Sequence, residues 1–158
     1  MANFVDSEHK WATLIGRIFV AFGAIEKLTH ECMQEWLNET AYKHLKGSRL
    51  ARRIDLVIDL VDKESFEEKN TESFIQLLKN AKKLAEKRNI IAHNPLLLAL
   101  YYGDPDFQEI IQSIKNENDR ITFDELEQIA ESSEQVANDL IEKKVRMGLE
   151  DWSGLPNH

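Results

Sequence analysis

The chain has 158 residues, of which 42% are hydrophobic and 30% charged, and its net charge is −8. That acidity argues against a general nucleic-acid coat protein, which needs many cations to displace phosphate counterions, and the single cysteine excludes an internal disulfide. The sequence has neither a signal peptide nor an apolar run of membrane-spanning length, so we expect a cytoplasmic protein without membrane contact, folded as one domain over residues 1–158.

The first predicted helix runs from Asp6 to about Leu37. Small residues at Ala12, Gly16 and Gly23 form one stripe along it, which would let another helix approach closely, either within the chain or across a dimer contact. A second stripe is apolar and repeats every three or four residues, as in a helix with one buried face. This apolar stripe comprises Trp11, Leu14, Ile15, Ile18, Phe22, Ile25, Leu28, Cys32 and Trp36.

A second helix follows Gly47 and Ser48, which offer an N-cap, and its inner face includes Leu50 and Ile54. The polar residues 62–70 are predicted to form a loop. A third helix begins near Thr71 and ends by Asn94, because the following proline disfavours a helical conformation in the residue before it.

Two basic segments accompany these helices. Residues 42–53 and 79–88 each hold five lysines or arginines. Each segment is either a phosphate-binding surface or a solvated helix face, and the segments themselves do not decide between the two. If they bind RNA, the candidate contacts are Arg49, Arg52, Arg53, Lys83 and Lys87.

The apolar run LLLALYY at 96–102 is ambiguous between a strand and a buried helix. The turn signal after it favours a short β-hairpin with FQEIIQSI, followed by a second turn at NEND. Thr122 and Glu125 then form a capping box that starts the last helix, whose apolar stripe reaches about Met147. Residues 148–158 are predicted to be irregular, which leaves the core at about 6–147.

These elements predict an all-α fold. Its most economical arrangement is an antiparallel four-helix bundle with a short β-hairpin inserted before the last helix.

The polar cluster KRNIIAHNP at 87–95 falls at the end of the third helix. On an ideal helix Asn89 and His93 share a face, whereas Arg88 and His93 diverge by ~140°. Either the last turn unwinds before the proline, or a two-fold dimer brings the arginine of one chain to the histidine of the other. Spacing alone favours a third interpretation, in which these side chains merely complement the helix dipole and cap its carbonyls.

The chemistry that such a site could carry out is RNA cleavage without a metal. Neutral His93 could accept the proton of a ribose 2′-hydroxyl, while an imidazolium protonates the leaving 5′-oxygen. Arg88 would bind the phosphate as negative charge develops on it, and the amide of Asn89 would orient phosphate or imidazole. Asn94 is a further supporting candidate.

The sequence RNIIAH resembles the Arg-x4-6-His motif of the HEPN superfamily, and the order of elements over about residues 10–147 is also similar. The superfamily comprises all-α, usually dimeric domains that include RNase toxins, antiphage effectors and non-catalytic relatives that bind nucleotides or RNA. The resemblance implies Arg88 and His93 as the catalytic pair and Asn89 as the accessory polar residue. It also implies a supporting carboxylate from the first helix, for which Glu26 is the candidate.

The resulting expectation is a homodimeric endoribonuclease that leaves 2′,3′-cyclic phosphate ends and acts in toxin–antitoxin or antiphage defence. The alternative is a catalytically silent HEPN-like dimer that binds a nucleotide, RNA or a partner protein. Residues 104–158 hold 14 carboxylates against 5 lysines and arginines, so the last helix could bind a basic protein such as an antitoxin. No cofactor or metal is expected, because Glu26 and His30 lack a second pair of ligands.

Overall fold

Five helices and a small antiparallel sheet make up the computed structural model, which describes residues 5–103 and 106–153. The helices are α1 (Lys10–Trp36), α2 (Glu39–Leu45), α3 (Leu50–Val61), α4 (Glu68–His93) and α5 (Phe123–Ser153). The strands are β1 (Leu96–Leu100), β2 (Phe107–Gln112) and β3 (Arg120–Ile121), arranged in the order β1-β2-β3.

The apolar stripes of the four longer helices meet in one core. Helix α1 packs against α3 and α5, and α4 packs against α3, α5 and α1. Most of the stripe predicted on the first helix is buried, including Trp11, Phe22 and Cys32. The prediction of a mostly helical chain is therefore confirmed, although the short helix α2 was not expected; its N-cap is Asn38, whose side chain accepts from the amide of Ala41 at 2.9 Å.

The small-residue stripe of α1 does not pack within the chain. Ala12, Gly16 and Gly23 are exposed, and a Cβ atom added at either glycine would meet no atom of the described chain within 4 Å. Packing of this stripe against another helix of the same chain, which was one of its two interpretations, is therefore excluded for the described residues.

Four predicted helix ends were wrong. Helix α1 begins at Lys10, four residues after the predicted start at Asp6. Helix α3 begins after Arg49 and has no side-chain cap, so Gly47 and Ser48 do not cap it. Helix α4 starts at Glu68, inside the predicted loop, and α5 extends through residues 148–153, which were predicted to be irregular; residues 154–158 lie outside the described part of the chain. The two extended ends bind each other, because the Glu150 carboxylate accepts from the amide of Glu67 at 2.8 Å and from the side chain of Asn70.

The predicted hairpin is present, and the first five residues of LLLALYY form its first strand, Leu96–Leu100. Leu96 pairs with Ile111, which in turn pairs with Ile121 of β3, so the hairpin is part of a three-stranded sheet. Glu109 of β2 accepts from the indole nitrogen of Trp11 at 2.7 Å, and this bond ties the sheet to the start of α1.

The second predicted turn and the start of the last helix were also anticipated by the sequence, whereas residues 104–105 of the first predicted turn lie outside the described residues. The NEND turn closes with the amide of Asp119 donating to the carbonyl of Asn116 at 2.9 Å. The capping box of α5 is present as well, since Thr122 and Glu125 each accept from the other's amide. No helix within residues 5–103 and 106–153 has both the length and the apolar character needed to cross a bilayer.

Candidate functional site

Helix α4 remains regular up to His93. Asn94 ends it with an extended backbone (φ −129°, ψ 149°), and its side chain donates to the carbonyl of Ile90 at 2.8 Å while accepting from the amide of Ile114 at 3.1 Å. The last turn therefore does not unwind before the proline. Arg88 and His93 diverge within one chain, and the amide of Asn94 is occupied as a cap that also holds the segment after β2.

Arg88 points towards α1. Its Nη2 donates to Oε1 of Glu26 at 3.1 Å, and its guanidinium carbon lies 5.3 Å from the ring centre of Phe22 and 6.0 Å from that of Phe19. The side chain is 18% exposed, and its Nε is buried with no hydrogen-bond partner among the described residues. A buried donor without a partner is costly, so the ion pair and the aromatic rings must hold the guanidinium in place.

Glu26 is shared between two arginines. Its Oε2 lies 3.6 Å from Nη2 of Arg53, a residue of α3 whose side chain is 8% exposed. Arg53 is fixed from elsewhere, because it donates to the carbonyl of Ser48 at 2.5 Å and to the hydroxyl of Thr29 at 3.3 Å. Three helices thus contribute to one charged cluster that contains two guanidiniums and one carboxylate.

His93 and Asn89 lie one turn apart on α4, and both are exposed. Neither side chain makes a hydrogen bond or an ion pair within the described part of the chain. The structure thus brings Glu26 and Arg88 together as the resemblance implied, but it leaves the imidazole of His93 in solvent, away from any internal partner.

The basic segments are mostly exposed. Arg49, Arg52, Lys83 and Lys87 are on the surface, with the two lysines one turn apart on α4. Arg53 is the exception, because its guanidinium is buried against Thr29 and Glu26. All five residues remain predicted RNA contacts.

The remaining titratable groups near the cluster suit structural roles. His30 lies with its Nδ1 3.4 Å from the Tyr42 hydroxyl, and burial together with the nearby Arg53 lowers the pKa of this histidine. Burial also raises the pKa of the Cys32 thiol to about 12, so the thiolate needed of a nucleophile is scarce at neutral pH. Among the described residues, no three His, Cys, Asp or Glu side chains are grouped as a metal site.

The acidic helix α5 also presents charge to solvent. Glu127 and Glu131 are exposed one turn apart, and the next acid in this row, Glu134, binds Arg17 of α1 through two hydrogen bonds of 2.6 and 2.8 Å. This face is the surface on which a basic partner was predicted to bind.

Sequence reasoning missed the residues that surround Arg88. Phe19 and Phe22 supply aromatic faces, and Thr29 anchors Arg53. Phe22 and Glu26 are one turn apart on α1, which is a weak indication that they belong to one site. Nothing in the sequence connected either of them with α3.

Searches of protein-family models, curated proteins and solved structures gave no match for this chain. Its function must therefore be inferred from chemistry. The guanidinium of Arg88 can bind a phosphate, and the exposed imidazole of His93 on the next turn can transfer a proton. The two groups can act on one phosphate if a second molecule brings them together.

Proposed function

We propose that this protein is a cytoplasmic, HEPN-type endoribonuclease that works without a metal, as a homodimer, in toxin–antitoxin or antiphage defence. One observation carries the proposal: α4 stays helical to its end, so Arg88 and His93 face different directions in one chain, and the His93 side chain has no hydrogen-bond or ion-pair partner among the described residues. A two-fold axis near the end of α4 would bring the histidine of one subunit to the arginine of the other.

The proposed reaction is transesterification at phosphorus. The neutral imidazole of His93 accepts the proton of the ribose 2′-hydroxyl, and the resulting oxygen attacks the adjacent phosphorus. The partner subunit's His93, as imidazolium, protonates the 5′-oxygen as its bond to phosphorus breaks. The products are a 2′,3′-cyclic phosphate and a free 5′-hydroxyl, and DNA is not cleaved because it lacks the nucleophile.

Arg88 supplies the charge for the phosphate. A guanidinium keeps its charge at all physiological pH values and offers paired donors, which suits an oxyanion whose charge grows in the transition state. Its contacts with Glu26 and Phe22 restrict its motion, and a positioned charge stabilises the transition state without reorganisation. The exposed amide of Asn89 lies on the same face as His93 and orients the substrate.

The exposed face of α1 is the proposed dimer contact. Between Ala12 and Gly23 the exposed residues of α1 are Ala12, Thr13, Gly16, Phe19, Val20 and Gly23, none of them charged. The exposed lysines Lys10 and Lys27 lie beyond the two ends of this segment. Val20 is 77% exposed and Phe19 41%, and the ring of Phe19 lies beside Arg88. Two copies of a chain with net charge −8 repel each other least where they present no charge, so this face suits a second copy next to the site. The four longer helices form an antiparallel bundle behind it.

Cleavage of total cellular RNA in the presence of EDTA tests the proposal. We expect the wild type to cleave RNA and leave 2′,3′-cyclic phosphate ends, whereas His93→Ala and Arg88→Ala do not. His93 is exposed and makes no side-chain hydrogen bond or ion pair within residues 5–103 and 106–153, so its variant should fold normally. The reaction uses a His93 from each subunit, so a heterodimer of the wild type with His93→Ala has only one of the two histidines and should be nearly inactive.

About half of the wild-type activity in that heterodimer, with its formation demonstrated, would exclude the composite site. Cleavage that persists in His93→Ala, or that disappears with EDTA, would exclude the proposed chemistry.

A second candidate function is binding without catalysis. It is favoured by the low exposure of Arg88, whose guanidinium is already paired with Glu26. In that case the dimer would bind a nucleotide, RNA or a basic partner such as an antitoxin at the acidic face of α5. Binding of RNA should weaken steeply as salt rises, whereas a protein partner should copurify when RNA is absent.

A further inference from the structure

Arg53 is the most deeply buried charged residue of the cluster, and its position does not depend on Glu26. Its Nη1 donates to the backbone carbonyl of Ser48 at 2.5 Å, and its Nε donates to the hydroxyl of Thr29 at 3.3 Å. Its Nη2 is 3.6 Å from Glu26, so the contact with the carboxylate is looser than either anchor. The guanidinium is therefore a fixed charge against which the carboxylate orients.

The two oxygens of Glu26 face different arginines. Oε2 faces Arg53 of α3, and Oε1 accepts from Arg88 of α4. The carboxylate is 43% exposed, so without the buried guanidinium it would be free to turn into water or to follow the Arg88 side chain outward. Because Arg53 holds Oε2 in place, it also determines the direction in which Oε1 points.

We infer that Arg53 is a positioning residue for Arg88 and acts through Glu26. It holds one oxygen of Glu26, and the second oxygen then sets the guanidinium of Arg88 at the place where a substrate phosphate binds. This inference rests on the proposed function. It assigns Arg53 a role inside the site and excludes direct contact with RNA.

A double-mutant cycle tests the inference. Arg53→Met is made in the wild type and in Glu26→Gln, and the readout is the dissociation constant for a 2′-O-methyl oligoribonucleotide, which lacks the nucleophile and stays intact. In the wild type we expect Arg53→Met to weaken binding by about tenfold, and in Glu26→Gln by less than about twofold, because the carboxylate through which Arg53 acts is gone. RNA cleavage should follow the same pattern.

Arg52→Met provides the matched control. It removes an exposed arginine one position away, so it measures the loss of charge alone, and its effect should be equal in the two backgrounds. Arg53→Lys keeps the charge but loses the fork that reaches Ser48 and Thr29. It should weaken binding by about threefold in the wild type and have no effect in Glu26→Gln. If Arg53→Met does not fold, the cycle is carried out with Arg53→Lys instead.

The outcomes separate the two proposals. An equal loss in both backgrounds, or no loss in the wild type, overturns the inference even if the protein cleaves RNA. A coupled loss of binding in a protein that cleaves no RNA supports the inference and overturns the proposed catalysis. A wild type that neither binds nor cleaves overturns both.

Discussion

Glu26 and Arg88 are 62 residues apart in the sequence, and they meet through a 3.1 Å hydrogen bond between α1 and α4. Arg53 lies on the other side of the same carboxylate at 3.6 Å. The carboxylate therefore neutralises charge for two guanidiniums that are each less than 20% exposed. Removing it would leave both without a counter-ion in a poorly solvated place, where unpaired charge is costly.

The Glu26→Gln variant should therefore be less stable than the wild type, by about 1–2 kcal/mol in the free energy of unfolding. This loss of stability is smaller than that expected for a fully buried ion pair, because the carboxylate itself is 43% exposed. Glu31→Gln on the same helix is the control: it removes an exposed pair with Lys27 and should cost at most about 0.5 kcal/mol. Urea denaturation at pH 7 measures both, and equal values for the two variants would refute a special role of the carboxylate.

Asn94 and Asn89 offer a second comparison between identical residue types. The Asn94 amide makes two hydrogen bonds, to Ile90 at 2.8 Å and from Ile114 at 3.1 Å, whereas the Asn89 side chain makes none within the described chain. We expect Asn94→Ala to lower the free energy of unfolding by about 1–2 kcal/mol and Asn89→Ala to change it by less than about 0.5 kcal/mol.

RNA cleavage should respond in the opposite order. Asn89→Ala should reduce cleavage although its fold is intact, and Asn94→Ala should affect cleavage mainly through the loss of folded protein near its melting temperature. Thermal unfolding and cleavage assays on the same samples check both statements. A stable but inactive Asn94→Ala variant would show that Asn94 does more than cap α4.

The sequence was a good guide to local structure. The apolar stripe of α1, the capping box at Thr122 and the hairpin after Pro95 all follow from periodicity or from turn chemistry, which act over a few residues. The predicted boundaries failed where a distant contact decides them: α4 starts early and α5 ends late because Glu150 binds the start of α4.

The candidate site was likewise predictable where it depends on neighbouring residues, and unpredictable where it depends on contacts between distant ones. Arg88, Asn89 and His93 are neighbours in the chain, and a motif was enough to select them. The burial of Arg53 was not foreseen, because a run of basic residues does not reveal which of them points inward to Thr29. Burial of one arginine in a basic segment is a consequence of how α1 and α3 pack together.

The pair of Arg17 and Glu134 predicts a dependence of stability on pH. Its two hydrogen bonds join α1 to α5, and they lower the pKa of the Glu134 carboxyl below its usual value, with burial opposing the shift. Since this pKa is lower in the folded state than in the unfolded state, the pair stabilises the fold above the unfolded pKa of about 4. The stabilisation is lost as the pH falls through the folded pKa.

Glu134→Gln should therefore be less stable than the wild type at pH 7, and the difference should be smaller at a pH of about 3. Glu117→Gln, which changes an exposed carboxylate in the turn before β3, should match the wild type at both pH values. Urea titrations at the two pH values test this. A difference that grows on acidification would contradict the assigned direction of the pKa shift.

The uncharged face of α1 gives the last prediction, which concerns the dimer. Val20 is 77% exposed, so its replacement removes little buried apolar surface and Val20→Glu should fold as the wild type does. In a two-fold dimer built on this face, the variant places two carboxylates, one from each copy, in a contact that is otherwise uncharged. We expect the dimer dissociation constant to rise by at least about tenfold, and RNA cleavage at a fixed protein concentration to fall with the dimer population.

Gly16→Glu, which changes this face, and Gly148→Glu, which changes α5, form a matched pair of variants. Both glycines lie in helices, and a Cβ at either meets no described atom within 4 Å, so the cost of the substitution to each helix is similar. Only Gly16 lies on the proposed interface, and only its variant should shift the dimer to monomer in analytical ultracentrifugation. If both variants stay dimeric and active, the contact lies elsewhere. If the wild type is already a monomer at micromolar concentration, Arg88 and His93 of two chains do not meet, and the composite site is wrong.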